Sequence, residues 1–220
     1  MIAKEIATYD ILPLNISDTC SFALNAMEEN RVNHLAVVNE RELLGVVTEF
    51  DLINHPDLQD VIGNVKLSLP NAFISAYQHV FDVMKMMTEL KLTLLPVVEP
   101  RNLYSGVITL PNLLRFLTLN TSVLNPGGLI VLEVAENDYS MSEIARIIES
   151  NDSRILGVFF TTNPNSTLID ITIKINTEDL NPVIQSFERY NYTIKATFAE
   201  KDDLDEIKER YDALMNYLGI

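Results

Sequence analysis

A threonine and an aspartate stand three residues apart in Gly45-Val46-Val47-Thr48-Glu49-Phe50-Asp51, where an apolar run gives way to a helical one. At a helix start that spacing turns the hydroxyl and the carboxylate the same way. The two can bond each other, cap the helix, or bond the vicinal hydroxyls of a ribose, a role an acidic side chain fills in dinucleotide sites. A strand end followed by a helix start also leaves backbone N–H groups without partners, and these point into the neighbouring crevice. Gly45 lets another group approach the backbone closely. The pattern returns as Gly106-Val107-Ile108-Thr109-Leu110-Pro111-Asn112. In this second copy asparagine replaces the acid, and Pro111 removes a backbone donor. A plain N-cap explains either copy taken alone. On charge, the first junction is the better candidate for a ligand.

The elements that must position these residues are themselves repeated. The first copy reads as an apolar run at Ile11–Leu14 and a helix at Ser21–Asn30, with Asn30 as its stop. Strands follow at Leu35–Val38 and Leu43–Val47, then a short helix from Asp51 that Pro56 curtails. Sixty residues on, Met27 falls on Met87, Leu35 on Leu95 and Val38 on Val98. One extra residue in the turn Glu99-Pro100-Arg101-Asn102 makes the offset sixty-one, and Gly45, Thr48 and Asp51 then fall on Gly106, Thr109 and Asn112. A repeat with one turn insertion and a matched junction is far more specific than either copy. Each copy buries too little surface to be stable alone, so the two must pack together.

After the linker 121–128 a different pattern begins. Leu129–Val134 reads as a strand, and Ser140 with Glu143 has capping-box spacing ahead of a helix that buries Ile144, Ile147 and Ile148. Strands at 155–161 and 167–175 follow, then a helix at 179–190 with Pro182 in its first turn, then a strand at 192–198. The order βαββαβ suits a four-stranded antiparallel sheet with both helices on one face. Residues 200–220 form a charged amphipathic pattern with apolar positions at heptad spacing, Leu204, Ile207, Tyr211, Leu214 and Leu218. It reads as a helix docked on its own domain, or as one that pairs with another subunit.

Composition narrows the function classes. The 220 residues carry 31 acidic and 16 basic side chains, a formal net charge of −15. So acidic a surface repels phosphate backbones and anionic lipid, which disfavours nucleic acid and membrane as partners. No apolar run reaches the length of a membrane span, and no signal-peptide core is visible, so the cytoplasm is the expected compartment. The one cysteine, Cys20, excludes an internal disulfide and a Cys-rich zinc site. It reads as a small half-buried residue. The histidines, His34, His55 and His79, are scattered, and no hydrolase, zincin or phosphate-loop motif is present. No catalytic or metal-binding residues are therefore assigned.

The repeat, with Met27 and Met87 on its helices, His34-Leu35-Ala36-Val37-Val38 and Leu94-Leu95-Pro96-Val97-Val98 as strands, and the two Gly-containing closers, resembles a tandem pair of CBS domains, a Bateman module. The copies span 1–60 and 61–120. The resemblance implies a non-catalytic regulatory protein. It would bind an adenosine-containing ligand such as AMP, ATP or S-adenosylmethionine in the cleft between repeats, and would form a homodimer. It places Thr48 and Asp51, and Thr109 and Asn112, at ribose and phosphate, with Ile11 and Leu12, and Ala72 and Phe73, on the short strand before each first helix and flanking the base. The cations that could sit near the clefts are Arg31, His34, His79, Arg101 and Arg115, too few for a polyphosphate unless two or three converge. Residues 129–199 resemble an ACT domain, which senses amino acids or other small molecules. The turn 136–140 lacks the glycine through which many such domains meet a ligand carboxylate. The combination is similar to CBS proteins of the acetoin-utilisation type. The fold class expected is α+β, a CBS pair followed by a ferredoxin-like, ACT-like domain and a C-terminal amphipathic helix. In the expected mechanism, ligand favours one cleft geometry and the linker near Pro126 passes the change on. The alternatives are an assembly module whose clefts are plugged by its own side chains, and an amino-acid sensor acting through the ACT-like domain.

Overall fold

A computed structural model describes residues 1–162, 166–199 and Met215. The expected helix over 200–220 lies, Met215 aside, outside the described residues. The chain divides into two compact units, Met1–Leu117 and Thr118–Ile220.

The first unit holds β1 (Leu14–Asn15), α1 (Cys20–Asn30), β2 (His34–Asn39), β3 (Glu42–Thr48) and α2 (Glu49–Ile53). The second copy follows as β4 (Ile74–Ser75), α3 (Val80–Glu89), β5 (Leu94–Glu99), β6 (Leu103–Thr109) and α4 (Leu110–Asn120). Their strands form a six-stranded sheet in the order β1-β2-β3-β6-β5-β4, a palindrome that makes the sequence repeat an approximate two-fold. Register follows the repeat. Leu14 lies opposite Val37 in the parallel pair β1/β2, and Ile74 opposite Val97 in β4/β5. His34 faces Thr48, and Leu94 faces Thr109, in the two antiparallel pairs. The helix stop falls one residue beyond Asn30. Arg31 takes the left-handed conformation (φ 53°), and Lys91 repeats it after α3 (φ 52°). In each case the next amide closes the helix, Val32 N–H on the Met27 carbonyl and Leu92 N–H on the Met87 carbonyl, both at 2.9 Å.

Each copy is completed by the segment that precedes the other. Ala3 and Ile6 are buried in the second core with Ala72, Val83, Met87 and Leu95. The amides of Ala3 and Lys4 donate to the carbonyls of Gln78 and Ala76, at 2.9 Å each. Conversely, Val65 is buried in the first core with Leu35, Val47 and Leu52. The two junction glycines sit where these segments cross. A Cβ on Gly106 (φ +97°) would meet the Thr8 carbonyl oxygen at 2.7 Å, and one on Gly45 (φ +149°) would meet Pro70 Cα at 2.8 Å. The group that the glycines admit is therefore the protein's own backbone.

The second unit contains β7 (Leu129–Ala135), α5 (Met141–Glu149), β8 (Ile155–Thr162), β9 (Leu168–Ile175), α6 (Asn181–Arg189) and β10 (Thr193–Phe198). Its sheet has the order β10-β7-β9-β8 with every neighbour antiparallel, the ferredoxin-like arrangement expected of an ACT-like domain. Alternation on β9 buries Ile169, Ile171, Ile173 and Ile175 against Ile144, Ile147 and Ile148 of α5 and Val183 and Phe187 of α6. Only half of the expected capping box forms. Ser140 Oγ accepts from the Glu143 amide at 3.3 Å, but the Glu143 carboxylate instead accepts from the Tyr192 hydroxyl at 2.9 Å.

Candidate functional site

The two junctions start from the same backbone. β3 and β6 end at Thr48 and Thr109, and the next amides, of Glu49 and Leu110, donate to the carbonyls of Asn33 and Thr93 at 2.9 and 3.3 Å. β2 and β5 begin side by side there. Thr93 Oγ1 accepts from the Asn33 amide at 3.0 Å and lies 2.9 Å from His34 Nδ1. The Thr93 amide also donates to His34 Nδ1, at 3.3 Å. A nitrogen that accepts is unprotonated, so the His34 proton is on Nε2. Burial holds the imidazole pKa below its ordinary value, and the nearby Asp51 charge opposes the shift. His34 thus ties the two repeats together as a neutral ring.

At the first junction both motif residues are engaged. Thr48 Oγ1 accepts from the Asp51 amide, and Asp51 Oδ2 accepts from the Thr48 amide, each at 3.0 Å. The pair is a capping box closed on itself. The same carboxylate oxygen also accepts from Ser68, from its hydroxyl at 2.9 Å and its amide at 3.3 Å.

At the second junction Thr109 Oγ1 accepts from the Asn112 amide at 3.3 Å. The Asn112 side-chain amide has no hydrogen-bond partner among the described residues. In front of it lies a cavity of about 500 Å³, lined by Thr8, Asp10, Ile11, Asn30, Arg31, Val32, Thr93 and the stretch Thr109–Asn112. That volume is within the roughly 300–1,000 Å³ of small-molecule sites. The lining carries one cation, Arg31, and one carboxylate, Asp10. It offers hydroxyls, an amide and apolar walls, which suits a ribose beside a flat apolar base.

The sequence-derived site residues fall unequally. Thr109, Asn112 and Ile11 meet at this cavity, although Ile11 belongs to the first copy and the closer to the second. Of the cations weighed, only Arg31 lines it. His79 instead caps α3, its Nδ1 accepting from the Phe81 amide at 3.3 Å. The base-flanking residues need correction. Ile11, Leu12, Ala72 and Phe73 precede β1 and β4 rather than lying on them. Leu12 is 76% exposed, Ala72 is buried in the second core, and Phe73 packs against the first. The crossing of the segments is the reason. Thr8, Asp10, Asn30, Val32 and Thr93 were missed, and so was Ser68. Thr8 and Ser68 lie sixty residues apart, as do Asn33 and Thr93, so extending the repeat upstream would have exposed these polar pairs.

Residues 3–57 and 63–119 each match the family described as CBS domain. The chain belongs to the CBS-domain family. The chain is similar in sequence to inosine-5'-monophosphate dehydrogenase of Methanocaldococcus jannaschii, 24% identical over 151 residues, covering 67% of this chain and 30% of the relative. It is also similar to homoserine O-acetyltransferase of Methanococcus vannielii, 27% identical over 123 residues, covering 54% of this chain and 25% of the relative. The chain thus spans less than a third of the length of either curated relative. Among solved structures, a CBS domain pair/ACT domain protein of Thermotoga maritima is 27% identical with a TM-score of 0.49, covering 54% of this chain and 98% of that one.

Proposed function

We propose that the CBS pair is a non-catalytic regulatory module that binds an adenosine-containing ligand in the cleft closed by Thr109 and Asn112. The observation that carries this is the cavity of about 500 Å³ faced by a side-chain amide with no hydrogen-bond partner among the described residues. In the bound state Asn112 and Thr109 address the ribose, Ile11 and Val32 flank the base, and Arg31 meets the one anionic group it can neutralise. With a single cation offset by Asp10, AMP or S-adenosylmethionine fits better than ATP. The relatives support a regulatory part, because a dehydrogenase and an acetyltransferase share similarity with the same chain. Ligand acts by binding one cleft geometry more tightly than another.

Calorimetry with AMP, ADP, ATP, S-adenosylmethionine and NAD tests this on wild type and Asn112→Ala. The expected result is binding that Asn112→Ala weakens about tenfold or more, the loss of one to two hydrogen bonds. Absence of binding by every adenosyl compound overturns the reading, and binding untouched by Asn112→Ala moves the site. A cytoplasmic homodimer belongs to the same reading. Phe22, Phe50 and Ile53 leave the α1–α2 face apolar and exposed, and a monomer mass by light scattering would remove the dimer.

A further inference from the structure

We propose that the first cleft is latched shut from within, with Ser68 acting as the resident ligand of Asp51, so that the module takes one adenosyl ligand per chain. The number rests on the reading of the second cleft above. The latch rests on a comparison of the two halves.

Thr8 and Ser68 occupy matched positions, each on the segment that crosses the other repeat's junction glycine. Their hydroxyls do different things. Thr8 Oγ1 turns back to accept from the Asp10 amide at 3.2 Å, within its own turn, and the second junction stays open. Ser68 turns inward and gives Asp51 Oδ2 both its hydroxyl and its amide, at 2.9 and 3.3 Å. A hydroxyl on a carboxylate is a charge-assisted bond, about twice the strength of a neutral one. With the amides of Thr48 and Ser68 it fills Oδ2, the carboxylate oxygen on the side where the segment crosses. The segment is held on both sides of Ser68. Leu67 packs against the first core, and the Val46 amide donates to the Leu69 carbonyl at 3.1 Å.

Charge acts in the same direction. The matched positions of Arg31, Leu110 and Asn112 are Lys91, Glu49 and Asp51. The first motif therefore carries two carboxylates, Glu49 bonded by the Asn33 side-chain amide at 2.9 Å and Asp51 by Ser68, where the second motif carries none and its cavity sets Asp10 against Arg31. An anionic ligand entering there meets net repulsion as well as an occupied acceptor.

The latch predicts a gain of function. Ser68 is exposed, so Ser68→Ala leaves both cores intact, and circular dichroism checks the fold. Titration with S-adenosylmethionine, which brings no phosphate, and with AMP is run on wild type, Ser68→Ala and the double variant Ser68→Ala/Asp51→Ala. The expected stoichiometry is one for wild type, two for Ser68→Ala, and one again for the double variant. If wild type and Ser68→Ala both bind one, the latch is overturned and the second-cleft reading stands. If wild type binds none and Ser68→Ala binds one, the latch stands and the second-cleft reading falls. If wild type binds two, or neither protein binds, the latch is overturned.

Discussion

Replacing Gly106 by alanine tests the crossing that builds the open cleft. The new Cβ would stand 2.7 Å from the Thr8 carbonyl oxygen and 3.3 Å from its carbon, both backbone atoms with no flexible end to swing aside. The Thr8 backbone is fixed in turn. Its amide donates to the Val107 carbonyl and its carbonyl accepts from the Val107 amide, each at 2.9 Å. Relief requires pulling that pair apart. The positive φ costs an L-residue about 1–2 kcal/mol. Two backbone hydrogen bonds contribute about 1 kcal/mol each. The sum is about 3–4 kcal/mol, a large part of the roughly 5–15 kcal/mol of a typical domain. Calorimetric melting of the whole chain is the assay, because Gly106 lies in the unit Met1–Leu117 and the other unit supplies an internal reference. The expected record shows one transition lowered and the other unmoved. Gly63→Ala is the control. Its φ is ordinary and its nearest contact, the Ile16 carbonyl oxygen, stands 3.2 Å away, so its loss is expected to stay near 1 kcal/mol. A Gly106→Ala loss below about 1 kcal/mol, or equal to that of Gly63→Ala, would refute the account of the crossing.

His34 makes the repeat interface sensitive to acid. Its folded pKa is lowered, so the unfolded chain takes up the proton first; stability is full above the ordinary histidine pKa of about 6.5 and drains as pH falls through it toward the folded value. Denaturation at pH 7.5 and 5.5 is expected to show a larger loss in wild type than in His34→Gln, and equal losses would count against the neutral ring. Cys20 is fully buried, and burial raises its thiol pKa. A thiol reagent is expected to leave the native protein unmodified and to label one group after unfolding. Phe187→Ala, at a fully buried position between α6 and the second sheet, is expected to cost about 3–5 kcal/mol in the C-terminal unit alone, read as a shift of that transition only.

Periodic features were legible in the sequence. The alternating isoleucines of β9, the stripe Ile144, Ile147 and Ile148, and the offset that carries Thr48 onto Thr109 each depend on one side chain facing one way at a fixed interval. Such patterns determine elements, topology and the pairing of junctions. Contacts between single polar residues far apart in sequence leave no period. Nothing near Glu143 announces Tyr192, and the capping-box spacing pointed to a different bond. Ser68 is the instructive case. In sequence it is one serine near the start of the second copy, and Asp51 looked like the stronger ligand because it kept its acid. Once the chain crosses Gly45, the serine reaches that acid. Charge alone favoured the first junction; availability favours the second.

The acid and the latch can be understood as one feature. A carboxylate left empty in a cleft needs water or a donor, since desolvating an ion without a partner is expensive. It is held in a chain that already bears a net charge of −15. Asp51 meets that need with Ser68, and the bond also pins the segment that completes the first core. Asparagine at the matched position is neutral, and an empty cleft costs it little, so Asn112 can wait open for a ligand. On this reasoning the substitution that weakens the second motif as an ion-pairing site is what keeps it available. Asn112→Asp would then place an uncompensated carboxylate beside Asp10, with Arg31 the one cation in the cavity lining. AMP, an anion, is expected to lose affinity, whereas S-adenosylmethionine, whose sulfonium and ammonium leave it net positive, is expected to lose none to charge. Equal losses for the two ligands would show that the asparagine acts by shape rather than by charge.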